Sequence, residues 1–208
     1  RYLPGYLGGN PDLNPEESEG WEIGLKQRIS RWANINISYF ETDYTNLIQL
    51  KLVDPDNYIF KMLNIGEATY KGYELLAEIY PIDWLTLHFG FTDMKRQDTA
   101  NGEDLTGLPN KIFQYGLTIR DLYGFSFSLC GDQYSDFKID ETEAHPSEGD
   151  IVWNAKLLYR WNITEKVVLE PSASLENVMD ETYYNGASEI GIAEGRTFRI
   201  GALLRVNL

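Results

Sequence analysis

Apolar and polar residues alternate along most of the chain with a period of two, the signature of strands that show one face to a greasy environment and the other to water. In the last segment Phe198, Ile200, Ala202, Leu204, Val206 and Leu208 share one face, while Thr197, Arg199, Gly201, Arg205 and Asn207 share the other. The same alternation predicts about eight further strands. They begin near Trp21, Ile35, Tyr58 to Ala68, Leu85, Phe113, Phe125, Ile151 and Val167. The second is expected to run past Asp43 toward Leu50, and the seventh to carry Ile151, Trp153, Ala155, Leu157, Tyr159 and Trp161 on one face. A polar loop is expected from about Asp93 to Gly107.

The connections alternate as well. Short turns fall near Ser30, Ile82, Tyr123 and Thr164, and longer or more polar ones near Pro55, Gly102, Glu143 and Gly186. Short turns on one side and large loops on the other are the habit of transmembrane β-barrels, with the short turns periplasmic. A soluble sandwich has no need of that asymmetry. The fold class expected is all-β, an antiparallel up-and-down transmembrane barrel segment. Since single-chain bacterial barrels close with even strand numbers, about nine strands implies part of something larger.

Four ordered motifs carry a resemblance. They are Asn10-Pro11-Asp12-Leu13-Asn14-Pro15-Glu16 followed by Glu22-x-Gly24-x-Lys26; Asn64-x-Gly66-x-Ala68-x-x-x-Gly72-x-Glu74; Leu105-x-Gly107-x-Pro109-Asn110-Lys111; and Asn177-Val178-Met179-Asp180-Glu181-Thr182-Tyr183-Tyr184 with Gly195-Arg196-Thr197-Phe198. Together they resemble the barrel of TonB-dependent outer-membrane receptors, of the siderophore and cobalamin type, in its C-terminal part. The resemblance implies a barrel of ~22 strands with a plugged lumen, of which residues 1 to 208 are the C-terminal portion, the plug domain being absent from this chain. It implies uptake of a ferric siderophore, or of cobalamin, across the outer membrane of a Gram-negative bacterium when the partner TonB pulls on the plug. Outer-membrane lipid and lipopolysaccharide are the implied surroundings. Haem is less favoured, since no histidine lies between Arg1 and Asn14. The family usually ends on an aromatic residue, and Leu208 stands there instead.

Composition sharpens this picture in a few places. Aromatic residues make up 13% of the chain, with 14 tyrosines, which suits the aromatic girdles of a barrel. A mean hydropathy of −0.36 does not exclude a membrane, because alternating strands hide their apolar face from an average. The formal charge of −14 excludes a nucleic-acid partner, which needs clustered Lys and Arg. Arg1-Tyr2-Leu3-Pro4-Gly5 has no export signal, so any such signal is expected outside this sequence.

Catalytic chemistry finds no purchase. Two histidines, His88 and His145, and a single cysteine, Cys130, leave no zinc or haem set. No nucleophile elbow or phosphate loop is present, and Glu74 and Glu78, ~13 Å apart along one strand, read as lumen lining rather than an acid/base pair. Trp21, Trp84, Trp153 and Trp161 read as girdle residues, and Asp180 and Arg196 as a brace at a loop base.

What remains is the external end. Tyr183, Tyr184 and Asn185 are candidate ligand contacts, because aromatic faces with polar tips suit bulky metal chelates. Asp140, Glu141 and Glu143 are candidate ligands for a structural Ca²⁺, a hard cation that takes carboxylate oxygens. An acidic rim of this kind disfavours strongly anionic ligands such as ferric catecholates and suits neutral or cationic ones. Two readings from other classes stand beside the receptor: a small independent outer-membrane barrel with a structural or adhesin role, and a soluble all-β carbohydrate-binding module.

Overall fold

Strands account for nearly all of the regular structure. The computed structural model describes residues 7–8, 10–57, 59–64, 66–100, 102–105, 108–135, 137–138, 144–145, 151–183 and 195–206. In chain order the strands are β1 Leu7–Gly8, β2 Glu17–Ile29, β3 Ala33–Thr45, β4 Ile48–Asp54, β5 Ile59–Asn64, β6 Glu67–Ile82, β7 Leu85–Asp98 and β8 Lys111–Leu122. They continue as β9 Phe125–Tyr134, β10 Phe137–Lys138, β11 Ala144–His145, β12 Val152–Tyr159, β13 Trp161–Asn162, β14 Val167–Glu176 and β15 Thr197–Val206. A ten-stranded sheet has the order β13-β14-β12-β9-β8-β7-β6-β3-β2, with β15 paired to β14. Since β12 and β13 are two parts of one pass, the sheet has the nine passes that the alternation implies.

The chain divides into two compact units. One comprises Arg1–Ile23, Tyr39–Gly72 and Met94–Leu105; the other comprises Gly24–Ser38, Tyr73–Asp93 and Thr106–Leu208.

In the second unit the cross-strand register sorts side chains by polarity. One row runs Phe89, Tyr115, Gly131 and Trp153, and a neighbouring row runs Leu87, Leu117, Leu129, Ala155, Leu175 and Phe198. A third runs Leu85, Ile119, Phe127, Leu157, Ala173 and Ile200. Aromatic neighbours on this face touch, with ring centroids 4.8 Å apart for Phe91 and Phe113 and 4.5 Å for Phe125 and Tyr159. Gly131 belongs to the apolar row for a steric reason, since a Cβ there would lie 2.8 Å from the Trp153 ring.

This face is uncovered. Phe198 is 65% exposed and Ile200 78%, and among the described residues only Leu47, Ala68, Phe137 and Val152 are buried hydrophobic side chains. A sheet standing in water would forgo about 1.5–3 kcal/mol for each such Phe, Ile or Leu left uncovered. Apolar side chains facing outward and polar ones facing the other way are the arrangement of a barrel wall in lipid. The reading of a soluble module with a packed core finds no such core beneath these strands.

The tight turns use residues that tolerate left-handed backbone. Between β8 and β9, Tyr123 and Gly124 have φ of 54° and 84°, the two consecutive positive values that a type I′ hairpin needs. After β13, Thr164 Oγ1 accepts the N–H groups of Lys166 at 3.2 Å and Val167 at 3.0 Å.

Several expected boundaries move. The second strand does not reach Leu50: β3 stops at Thr45, Asn46 turns the backbone at φ 57°, and β4 pairs with β5 in a separate three-stranded sheet with β1. The first part of the loop expected from Asp93 to Gly107 is strand, because β7 stays in register to Asp98 and Thr99 N still donates to Glu67 O at 3.0 Å. The seventh strand starts at Val152 rather than Ile151 and breaks at Arg160, whose N–H turns to Gly124 O at 2.7 Å. Trp161 nonetheless stays on the apolar face, opposite Leu169.

The β4–β5 hairpin tip is held by one carboxylate. Asp54 accepts the Asn57 amide at 2.9 Å and the N–H groups of Asn57 and Asp56 at 3.1 Å each. These bonds, the Asn57 side chain first, hold its carboxyl below the usual value. Because the folded value lies below the unfolded one, the contribution is present above the ordinary carboxylate range and is lost as pH falls through the folded value. An NMR titration should find the Asp54 value depressed and Asn57→Ala should return it toward normal; an unmoved value would contradict the bond network. For the wall itself, Ile200→Arg should cost about 2–4 kcal/mol of folding stability in bilayers, while Ser174→Arg on the opposite face should cost less than about 1 kcal/mol. Equal costs at the two positions would refute the assignment of faces.

Candidate functional site

The polar face of the second unit is built by the positions between the apolar rows. Thr86, His88 and Gly90 lie opposite Thr118, Gly116 and Gln114, and these lie opposite Ser128, Cys130 and Asp132. Asn154 and Lys156 follow on β12, then Ser174, Ser172 and Glu170 on β14. The strands thus line a hydrated interior, and a concavity of about 540 Å³ opens on it, bordered by Lys26, Asn34, Asn36, Glu78, His88 and Gln114 among others.

The polar groups around that concavity are mutually engaged. Tyr80 donates its hydroxyl to Glu78 Oε2 at 2.5 Å, and Asn34 Nδ2 donates to the Tyr80 oxygen at 2.9 Å. His88 lies with Nδ1 3.6 Å from Glu78 Oε1 and Nε2 3.2 Å from the Thr118 hydroxyl. Glu78 is thus part of a polar network that lines this face. Among the described residues no group of three or more His, Cys, Asp or Glu could hold a metal ion.

A second polar cluster was not foreseen. Glu170 is 4% exposed at its side chain, and it accepts Arg160 Nε at 3.1 Å and pairs with Arg205 at 3.0 Å; Arg160 also lies 3.8 Å from Asp121. The signal was available, because Glu170 interrupts the apolar run Val167-Val168-Leu169 on the face opposite Leu169. A carboxylate held by two guanidinium groups makes a rivet between the last passes of the sheet.

Three of the four motif stretches have structural work that the alternation alone does not reveal. In the first unit Asn10 Nδ2 donates to Met62 O at 2.9 Å, Asn14 N donates to Asn64 Oδ1 at 2.9 Å, and Glu16 Oε1 accepts Ile48 N at 2.6 Å. The Asn-Pro-x-Leu-x-Pro-Glu run thus ties the opening segment to the β4–β5 hairpin. Asn64 completes the tie by donating to Asn14 O and Asn46 O at 3.1 Å and 2.5 Å. Nearby, the Tyr44 and Tyr70 rings lie 4.7 Å apart, and Arg96 is 2% exposed.

In the second unit Asn177 is fully buried at the head of the last large loop. Its Nδ2 donates to Glu181 O at 2.7 Å, its Oδ1 accepts Glu181 N at 2.8 Å, and its own N–H donates to Asn154 Oδ1 at 3.0 Å. Asp180 Oδ1 then accepts Arg196 N at 2.8 Å across the loop. The expected brace between positions 180 and 196 is therefore present, made through the Arg196 backbone and not its guanidinium.

Of the candidate ligand contacts, Tyr183 is half-buried just beyond this brace and close enough to Tyr134 to act on its phenol electrostatically. Tyr184 and Asn185 lie outside the described residues, as do the candidate calcium ligands Asp140, Glu141 and Glu143.

Strands with one bare apolar face, one hydrated face, tight turns and a loop pinned at its base define the wall of a transmembrane β-barrel. The chain belongs to the TonB dependent receptor-like beta-barrel family, whose sequence model matches residues 2–178. Solved structures agree on the fold. The ferric enterobactin receptor of Pseudomonas aeruginosa, in a point-mutant form, is 21% identical, covers 96% of this chain and 32% of its own, and has a TM-score of 0.66. The ferric preacinetobactin receptor of Acinetobacter baumannii is 19% identical over 90% of this chain and 29% of its own, with a TM-score of 0.68. The copper transporter OprC is 16% identical over 92% of this chain and 32% of its own, with a TM-score of 0.72. The chain thus spans about a third of the length of the structures it matches. The family is one of transport receptors, not enzymes.

Because Asn177 satisfies both directions of the Glu181 peptide from a buried position, Asn177→Ala should cost about 1–3 kcal/mol. The check is urea unfolding in detergent or bilayers. A loss under about 0.3 kcal/mol would show that the loop base is held by other bonds.

Proposed function

We propose that this chain forms the C-terminal barrel wall of an outer-membrane receptor that takes up a ferric siderophore with energy delivered by TonB through a plug domain. The observation that carries the reading is the family match over residues 2–178, joined to a sheet whose apolar face is bare. The structural neighbours described as receptors for ferric enterobactin and ferric preacinetobactin support the substrate class. In this reading the wall sits among outer-membrane lipid and lipopolysaccharide in a Gram-negative cell.

The wall's part in transport is to be stiff and hydrated while something inside it moves. Its passes are locked by ladders and by the Glu170 rivet, so a pull along the lumen is borne without shearing the register. The concavity bordered by Lys26, Asn34, Glu78 and His88 offers polar side chains with hydrogen-bonding capacity to whatever fills the lumen. At the external end, Tyr183, with Tyr184 and Asn185 following it in sequence, supplies the aromatic contact to the arriving chelate. A ferric chelate delivers iron already saturated by its own oxygen donors, so the wall needs no metal-ligating cluster of its own. A copper cargo carried as the bare ion would instead call for the soft thiolate, thioether or imidazole ligands that bind it.

Deletion and complementation decide the matter. Cells expressing the intact protein as their only receptor should accumulate radioactive iron supplied as its siderophore, and should stop when TonB is removed. Tyr183→Ala should weaken chelate binding by about 1–2 kcal/mol, roughly five- to thirtyfold. Iron accumulation independent of the protein, or continued without TonB, would sink the reading.

A further inference from the structure

The interior face of the second unit carries a lysine with no acid bound to it. Register sets Lys156 on β12 directly opposite Ser128 on β9 and Ser174 on β14. The row continues to Thr118 on β8 and, at its other end, to Arg199 on β15. Lys156 is exposed and the two serines are half-buried, and among the described residues none of the three side chains has a hydrogen bond or an ion pair.

The interior acids around this row are engaged elsewhere. Glu176 pairs with Arg199, Glu170 with Arg160 and Arg205, and Asp132 accepts the Gln114 amide at 3.2 Å. A second cation stands near. Arg120, two residues beyond Thr118, donates its N–H to Trp84 O at 2.8 Å, which carries the β7–β8 register past Leu85 and Ile119 and keeps its side chain on the interior side. Arg120 is exposed and makes no ion pair among the described residues; Glu78, within its electrostatic reach, is bonded to Tyr80 and lies beside His88.

Lysine offers N–H donors and no acceptor, and a serine hydroxyl turns its proton toward whatever acceptor arrives. Together they suit an anion that presents several oxygens. The strands of Lys156 and Arg120 lie two ladder spacings apart, about 10 Å at ~4.8 Å each, and on the interior side of β9 between them stand only Ser126 and Ser128. Ser172 and Gly201 keep the wall equally low beyond β12. Cations at this separation, with small side chains between, are bridged by a bulky anion and not by a lone carboxylate group.

We propose that Lys156, with Ser128 and Ser174 beside it and Arg120 across β9, forms a binding site on the lumen wall for a ferric chelate of net negative charge. The proposal rests on the uptake reading above and deepens it by assigning the charge of the cargo. Iron keeps its own oxygen donors throughout, and the ammonium, guanidinium and hydroxyl groups donate to the outward oxygens of the chelate. The acidic rim expected from the sequence would suit a neutral or cationic cargo; the interior wall selects the opposite charge.

The test follows radioactive iron into cells whose only receptor is the intact protein, with the iron supplied as a panel of negatively charged tris-catecholate chelates or a panel of neutral tris-hydroxamate chelates. The unaltered protein should take up a member of the anionic panel. Lys156→Gln and Arg120→Gln should each raise its half-saturating concentration about fivefold, and K156Q/R120Q about twenty-five-fold, while Lys156→Arg stays within about twofold. Binding of the same chelate to the purified receptor should weaken by the same factors. Unchanged binding by K156Q/R120Q would overturn the site, and so would an equal loss for anionic and neutral chelates, which would assign Lys156 to holding the wall or whatever fills it. Uptake of neutral chelates alone would overturn the site and leave the transport reading standing. Uptake from neither panel would overturn the transport reading, and the site with it.

Discussion

A backbone that crosses hydrocarbon has no water to satisfy its N–H and C=O groups, so every one must be paired within the protein. This constraint dictates the rest of the structure. It forces continuous antiparallel ladders, of which β14 with β15 is an unbroken example from Glu176 and Thr197 to Val167 and Val206. Once the ladder is continuous, side chains alternate without exception, and a shift by one residue would send every apolar group to the wrong solvent. The rows of Phe, Leu and Ile crossing six strands are therefore a consequence of backbone pairing as much as of hydrophobicity.

The same constraint relaxes where the chain leaves the membrane, and there the side chains take over the pairing. Asn64 closes the base of the β4–β5 hairpin by bonding two backbone carbonyls and one N–H. Asn177 does the same for the last large loop. Both are amides, able to donate and accept at once, and both stand where a strand stops and its ladder can no longer satisfy the peptide groups. The motifs that carry the family resemblance are concentrated at these junctions. Their residues close loops, which is why they are polar, and Asn177 does so from a fully buried position.

The strand faces, the number of passes and the side on which the short turns lie were legible in the sequence, because a period of two over ten residues has no competing explanation. Strand ends were less legible. β7 continues through Asp93, Lys95 and Gln97, whose polarity reads as loop, because above the membrane the ladder persists while the need for apolar side chains ends. The turn at Asn46 was hidden for the opposite reason: Tyr44 through Leu50 keeps a strand-like composition across a left-handed residue. The Glu170 rivet joins residues from three separate passes, and only the register shows that Arg160 and Arg205 converge on it. At the external end Tyr183 has a defined place, whereas the acidic run from Asp140 falls outside the described residues.

Charge is the property for which the pooled figure misleads most. A formal −14 suggests an acidic surface that repels anions, whereas the rim argument against catecholate chelates was built on the acidic loop residues such as Asp140, Glu141 and Glu143. Yet the register places Lys51 opposite Lys61 on the β4–β5 hairpin, just as it sets Lys71 against Lys95 on the wall. Within a Debye length of about 8 Å at physiological salt, an approaching anion senses the charges nearest to it and not the sum over the chain. The many carboxylates instead lie where their bonds are local, as at Asp54, Asp180 and Glu170. Net charge alone is therefore no ground for excluding an anionic ferric chelate, and the local pairs decide what each surface attracts.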